Sequence, residues 1–303
     1  MSRRAARHLL GIHGLDRADV EALLARAAEH KRALAGGQRA GALSGKVVAT
    51  VFFEDSTRTR LSFEVAAGAL GAQVLSWSMK SSSVSKGETL LDTVRNIDAM
   101  GPCAIVMRHS STGAPHLVSR HVRAAVINAG DGTNEHPSQA LLDALTLREH
   151  LGALEGKRIV LAGDVLHSRV ARSNAWCLGL LGARVVFCGP PTLLPPAAEA
   201  LGAEVSHDFD RALEGADAVM MLRIQLERMA ESLFPSVREY ARLYGMSPRR
   251  AQRLRDGVPI LHPGPLNRGV EISNEVADGA KSVILEQVMN GVAVRMAILE
   301  ACA

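Results

Sequence analysis

The stretch Lys46-Val47-Val48-Ala49-Thr50-Val51-Phe52-Phe53-Glu54-Asp55-Ser56-Thr57-Arg58-Thr59-Arg60 changes character in its middle. Residues 46–53 form an apolar run of strand length. Beyond Ser56, Leu61, Val65 and Ala69 recur at helical spacing, so the stretch reads as strand, polar turn, helix. The turn carries hydroxyls and guanidinium groups to a helix N-terminus, where backbone N–H groups already favour an anion. Taken alone, Ser56 to Arg60 reads more simply as a capped helix start with solvent-facing arginines. The weight therefore falls on what surrounds it.

Outward from this junction the chain keeps alternating. On its N-terminal side, Asp16 can cap a helix whose apolar positions Val20, Leu23, Leu24 and Ala27 recur at helical spacing, with Gly36-Gly37 as its stop. On the other side come strands at 104–107 and 124–128, then a helix opened by Pro137 and carried by Leu141, Leu142, Leu145 and Leu147. A second set follows, with strands at 158–162, 184–188, 218–222 and 259–262 and a helix over 168–181. This order predicts an α/β fold with two domains, each a mostly parallel sheet flanked by helices. A length of 303 residues also exceeds what one core usually holds. We place the domains at 1–150 and 151–283, with the break near Gly152 to Gly156 and a long C-terminal helix (284–303) packing back on the first domain. The stretch Pro190-Pro191 to Pro195-Pro196 reads as a surface loop.

Composition narrows the function classes. With 47% hydrophobic and 22% charged residues the chain is an ordinary globular protein, and 3% aromatic residues argue against a base-stacking platform. The basic start, Arg3, Arg4 and Arg7, is too short for a nucleic-acid arm. The four cysteines, Cys103, Cys177, Cys188 and Cys302, lack metal-ligand or CxxC spacing and are expected to be reduced. No membrane span or secretory signal is present, which points to the cytoplasm. The P-loop pattern is missing, and no G-x-G-x-x-G follows the strand ending at Gly163, so a nucleotide-binding dehydrogenase is disfavoured.

Other segments lie where α/β folds gather ligands, at the carboxyl ends of strands. Arg108-His109 ends one strand. His136-Pro137-Ser138-Gln139 opens a helix after the turn Gly130-Asp131-Gly132, with His136 and Gln139 spaced to face one small ligand. Arg108 and His136 can polarise a carbonyl oxygen, and the Gln139 side-chain oxygen can hold an amide NH2. In His262-Pro263-Gly264-Pro265, Gly264 permits close backbone approach, and a carbonyl there can accept the same NH2. Arg169, at a helix start, and Arg223, beside Gln225 on a strand exit, match a ligand with two carboxylates. Each segment also has a structural reading as a turn, cap or surface ion pair.

Taken together, Ser56 to Arg60, Lys86-Gly87-Glu88-Thr89, Arg108-His109, His136 to Gln139 and His262 to Pro265 resemble, in order, the catalytic chains of the aspartate carbamoyltransferase family. That resemblance implies transfer of a carbamoyl group from carbamoyl phosphate to L-aspartate. Ser56, Thr57, Arg58 and Thr59 would hold the phosphate, with Thr59, Arg108 and His136 on the carbonyl oxygen. Gln139 and the backbone at Gly264 and Pro265 would hold the carbamoyl amine. Arg169 and Arg223 would take the two carboxylates of aspartate, helped by Gln225 and Lys86. It further implies a homotrimer in which Ser82 and Lys86 reach a neighbouring subunit, without metal or organic cofactor, and open to larger assembly with regulatory chains or dihydroorotase. Ornithine carbamoyltransferase is the near rival, and Gly264 with Arg223-Ile224-Gln225 points to aspartate. A scaffold that has lost catalysis is the rival from another class, and this chain keeps the arginine and histidine positions.

Overall fold

When helices cover both sides of a parallel sheet, each central strand is buried on both faces and must be apolar at nearly every position. The computed structural model describes residues 8–38, 40–78, 88–225 and 236–303 and contains two such sheets. The first joins β1 (Val47–Phe52), β2 (Gln73–Ser78), β3 (Ala104–His109) and β4 (Ala125–Asp131), in the order β2-β1-β3-β4 with every neighbour parallel. The second joins β5 (Arg158–Ala162), β6 (Arg184–Cys188), β7 (Ala203–Ser206), β8 (Ala218–Met221) and β9 (Ile260–Leu261), in the order β7-β6-β5-β8-β9, again parallel. Helices α1 (Arg17–Ala35), α2 (Thr57–Ala69), α3 (Leu90–Ala99) and α4 (Ala114–Ser119) accompany the first sheet. With the second come α6 (Arg169–Leu180), α7 (Phe209–Ala212), α8 (Val237–Tyr244), α9 (Pro248–Arg253) and α10 (Asn274–Ala277).

Two compact units result. One comprises the described residues up to Leu142 together with Met289–Ala303, and the other is Asp143–Val288. The chain passes from one to the other inside α5 (Pro137–Leu151) and again inside α11 (Ile284–Cys302). Each unit has its own core. Ala49, Val51, Ile105, Met107 and Val126 pack together in the first, and Val160, Val186, Phe209, Met221 and Ile260 in the second. None of the described helices is long and apolar enough to cross a membrane.

Helix α1 starts as expected from Asp16, in a capping box: the Asp16 carboxylate accepts the Asp19 N–H at 2.8 Å, and Asp19 returns the contact. Several expectations change. Strands β2 and β7, absent from the sequence reading, each lie at one edge of their sheet, and their partly exposed side chains leave no apolar run to recognise. The residues that mark α2 in the sequence do not form its buried face. Leu61 and Val65 are 49% and 56% exposed, whereas Thr59, Phe63, Ala66 and Ala67 are buried. Strand β4 runs on through Gly130 to Asp131, so the turn begins only after that residue. The proline-rich stretch contains a short 3-10 turn, Pro191–Leu193, whose Leu193 is fully buried. All four cysteines are free thiols, and burial pushes those of Cys188 and Cys302 up to about 12.

Within the first unit, α11 is tied to α1 by charge. Arg26 donates Nε–H and an Nη2–H to the two oxygens of Glu300, both at 2.8 Å, and His30 Nε2 lies 2.7 Å from the same carboxylate. The Arg26 hydrogen bonds hold the Glu300 carboxyl below its ordinary value of 4.5, with His30 adding to the effect. A depressed acid stabilises the fold above its unfolded pKa and loses that contribution as pH falls towards the folded value. Glu300→Gln is therefore expected to melt below the wild type at neutral pH. The gap should close as pH falls below 4.5, in a series of thermal unfolding curves.

Candidate active site

Each sheet reverses its direction of growth once, and a crevice outside the strand ends at such a point is where open α/β sheets bind ligands. In the first sheet the reversal lies between β1 and β3, and in the second between β5 and β8. The sequence-predicted residues fall at these ends. Ser56 and Thr57 leave β1, and Arg108 sits in β3 as the register partner of Phe52, with the Phe53 N–H donating to the Arg108 carbonyl at 2.9 Å. Arg169 follows β5, and Arg223 and Gln225 follow β8, beside the pairing of Ala162 with Met221.

The α2 terminus differs from its counterparts. Thr89 and Ser168 cap α3 and α6 with their side chains, but Ser56, extended at the α2 N-cap, makes no such hydrogen bond. Its hydroxyl donates instead to Thr59 Oγ1 at 3.0 Å. Thr57 and Arg58 are exposed and Thr59 is buried, so this turn presents groups at two depths. Arg108 is 9% exposed, and its guanidinium is oriented by Glu54 Oε1 at 2.7 Å and the Ala129 carbonyl at 3.1 Å. His109 plays a local part: burial lowers its pKa, and its Nδ1 accepts the Ser111 N–H at 2.8 Å.

His136 and Gln139 are both buried at the start of α5, and the His136 carbonyl accepts the Gln139 N–H at 3.0 Å. Immediately before them in the chain lies a polar hub that the sequence reading missed. The fully buried carboxylate of Asp131 accepts from Gly113 N–H (2.7 Å), Asn128 Nδ2 (2.7 Å), Asn134 Nδ2 (3.2 Å) and Glu135 N–H (3.2 Å). Glu135 in turn accepts the N–H groups of Ile12 and His13, at 2.7 and 3.1 Å. A buried carboxylate is tolerable only when so satisfied, and the satisfied hub fixes the backbone that delivers His136. The run of polar residues around Gly130 and Gly132 is the one sign of it in the sequence.

In the second unit Asp164, also fully buried, ties the two strand exits together. It accepts from His167 Nδ1 at 2.9 Å, from the His167 N–H at 3.1 Å and from the Gln225 N–H at 3.4 Å. The Gln225 side chain donates back to the His167 carbonyl at 3.0 Å. Arg169 is 5% exposed at the first position of α6, which Ser168 caps, so it is not a surface ion-pairing residue. The two exits approach so closely that a Cβ on Gly163 would lie 2.6 Å from the Leu222 carbonyl oxygen, at a φ of +137°. His262 is buried after β9, and its Nδ1 accepts the Gly264 N–H at 2.8 Å. The bond from Gly264 to Pro265 is cis. Ser82 and Lys86 lie outside the described residues.

Residues 7–149 match the family model described as aspartate/ornithine carbamoyltransferase, carbamoyl-P binding domain, and residues 155–302 match its Asp/Orn binding domain. The aspartate carbamoyltransferase catalytic subunit of Myxococcus xanthus is 65% identical over 297 residues, covering 98% of this chain and 99% of the relative. That of Sorangium cellulosum is 55% identical, covering 97% and 92%. Among solved structures, aspartate transcarbamoylase from Trypanosoma cruzi with carbamoyl phosphate and aspartate aligns with a TM-score of 0.89 at 29% identity, over 98% of this chain and 96% of the other. Its complex with N-(phosphonacetyl)-L-aspartic acid aligns with a TM-score of 0.89 at 30% identity, over 98% and 95%.

Asp131→Ala strands several buried donors at once and is expected to cost roughly 2–4 kcal/mol of stability, read as a fall in the urea midpoint. Asp131→Asn keeps one acceptor oxygen and should lose less.

Proposed function

The chain belongs to the aspartate/ornithine carbamoyltransferase family, and from that premise we propose how its residues divide the work of the reaction. It transfers the carbamoyl group of carbamoyl phosphate to the amino group of L-aspartate, giving N-carbamoyl-L-aspartate and phosphate, a step of pyrimidine biosynthesis. Residues 1–150 bind carbamoyl phosphate. Ser56, Thr57, Arg58 and Thr59 hold its phosphate, and Thr59, Arg108 and His136 face its carbonyl oxygen. Gln139 and the backbone of Gly264 and Pro265 take the carbamoyl NH2. Residues 151–283 bind aspartate, Arg169 on its α-carboxylate and Arg223 on its side-chain carboxylate, with Gln225 and Lys86 assisting. The observation that carries this division is the placement of both arginine-bearing segments at the reversal points of their sheets.

The chemistry needs positioning and charge more than a covalent helper. Carbamoyl phosphate is captured first and aspartate second. The neutral amine attacks the carbamoyl carbon, and the carbonyl oxygen gains negative charge opposite Thr59, Arg108 and His136. Collapse breaks the bond from carbon to the phosphate oxygen. Phosphate leaves with the electron pair, and one of its oxygens takes the amine proton. The two substrates account for every bond made and broken.

The working assembly is a homotrimer in which Ser82 and Lys86 serve a neighbouring subunit, located in the cytoplasm. Supporting self-association, Leu61 and Val65 leave apolar surface exposed on α2. Regulatory chains or dihydroorotase would add to that trimer.

Purified protein given carbamoyl phosphate with L-aspartate or L-ornithine is expected to form carbamoyl aspartate and no citrulline. Arg58→Ala should lower kcat by about 100-fold or more, as loss of an oriented donor to developing charge does. Arg223→Ala should instead act mainly on the KM for aspartate. Citrulline as the product would move the chain to the ornithine branch, and no product from either amino acid would favour a scaffold.

A further inference from the structure

One fully buried carboxylate in the second unit has no part in the roles above. Glu271 Oε1 accepts the Asn267 N–H at 2.6 Å and faces His262 Nε2 at 3.1 Å. The far side of the imidazole fixes its protonation. The Gly264 N–H points at Nδ1 from 2.8 Å, so Nδ1 is the acceptor and Nε2 carries the hydrogen given to Glu271. Asn267 extends the contact, since its Nδ2 donates to the Ile224 carbonyl at 3.0 Å. Ile224 stands between Arg223 and Gln225. A continuous line of hydrogen bonds thus runs from the Gly264 backbone through His262, Glu271 and Asn267 to the strand exit after β8.

The line is anchored at its His262 end. The His262 N–H donates to Gln287 Oε1 at 2.9 Å, and Gln287 Nε2 donates to Asp143 at 2.7 Å. The other Asp143 oxygen accepts from Asn174 of α6 at 2.8 Å, five residues beyond Arg169. Asp143, Asn174 and Gln287 are all buried. Such a network has few alternative arrangements, because each broken link leaves a buried polar group unsatisfied.

We propose that Glu271 is a positioning residue that couples the two substrate-binding segments of the second unit. When the carbamoyl amine occupies the Gly264-Pro265 backbone, the line through His262, Glu271 and Asn267 holds Ile224, and with it Arg223 and Gln225, in place for the amino acid. The inference rests on the division of roles given under Proposed function. Glu271 Oε2 has no hydrogen-bond partner among the described residues, so a glutamine here buries an amide NH2 without an acceptor. Glu271→Gln therefore perturbs the hub at nearly constant volume. Asn267→Ala is milder, removing the link to Ile224 while the backbone N–H still reaches Glu271.

The test is equilibrium binding of succinate, the dicarboxylate lacking the attacking amine, to the full chain with and without saturating carbamoyl phosphate. In the wild type, carbamoyl phosphate should tighten succinate binding. In Glu271→Gln and in Asn267→Ala the ratio of the two Kd values should fall by about fivefold or more, with the Kd of carbamoyl phosphate itself held within about threefold. A purely structural role for Glu271 would lower the melting temperature and leave the ratio alone. An unchanged ratio in the variants, or a wild-type ratio of one, overturns the coupling. If Glu271→Gln does not fold, Asn267→Ala decides by the same criterion. Arg223→Ala separates the two levels: an unaltered succinate Kd there overturns the division of roles, and the coupling with it. Weakened succinate binding in Arg223→Ala, with unchanged ratios in the other two variants, removes the coupling alone.

Discussion

A strand buried on both faces can offer polar chemistry only where it ends. Every strand of both sheets runs parallel to its neighbours, so the ends that share a direction form a row, and loops leaving the row can converge. The reversal in strand order then matters most, because the loops after the two central strands depart to opposite sides and leave room outside them. The positions of the turn at Ser56 to Thr59, the guanidinium of Arg108 and the segments holding Arg169 and Arg223 all follow from this constraint. Elsewhere along the strands the core is filled mostly by Val, Ile, Ala and Met, with Thr50 and Asn128 as buried polar exceptions.

Loops at such ends must still be made rigid, and this protein does so with buried acids. Asp131, Asp164 and Glu271 are all fully inaccessible, and each gathers N–H donors from segments that are separate in the chain or would otherwise be free to turn. Burying a carboxylate is costly, and the cost is offset only while all its donors are in place. That makes each hub intolerant of small displacements. The groups delivered beside them, His136, Gln225 and the backbone at Gly264, inherit that intolerance as precision.

Legibility in the sequence follows the same physics. The central strands were readable because burial on both faces demands an unbroken apolar run, and Ser56 to Arg60 was readable because its chemistry is contiguous. Edge strands β2 and β7 carry exposed side chains and give no such run. On α2, which the sequence marks correctly as a helix, two stripes compete for the core. Leu61 and Val65 carry the stronger apolar signal, but the core takes Phe63 with the small residues Ala66 and Ala67, which fit close against the sheet. The hubs were hidden for a different reason. Asp131 and Glu271 acquire their roles from partners brought together by folding, and an isolated acid in a loop looks like any solvated one.

Inside α5 and α11 the chain crosses from one unit to the other, so the first unit consists of two pieces with the whole of the second between them. Residues 289–303 supply Arg295, stacked over Phe63 at 5.1 Å, and Glu300, held by Arg26. On a ribosome these partners emerge only after residues 143–288 have been made, whereas the second unit is contiguous. The first unit therefore gains its last helix only after every residue of the second has been made. Order of synthesis and order of completion are thus reversed between the two units.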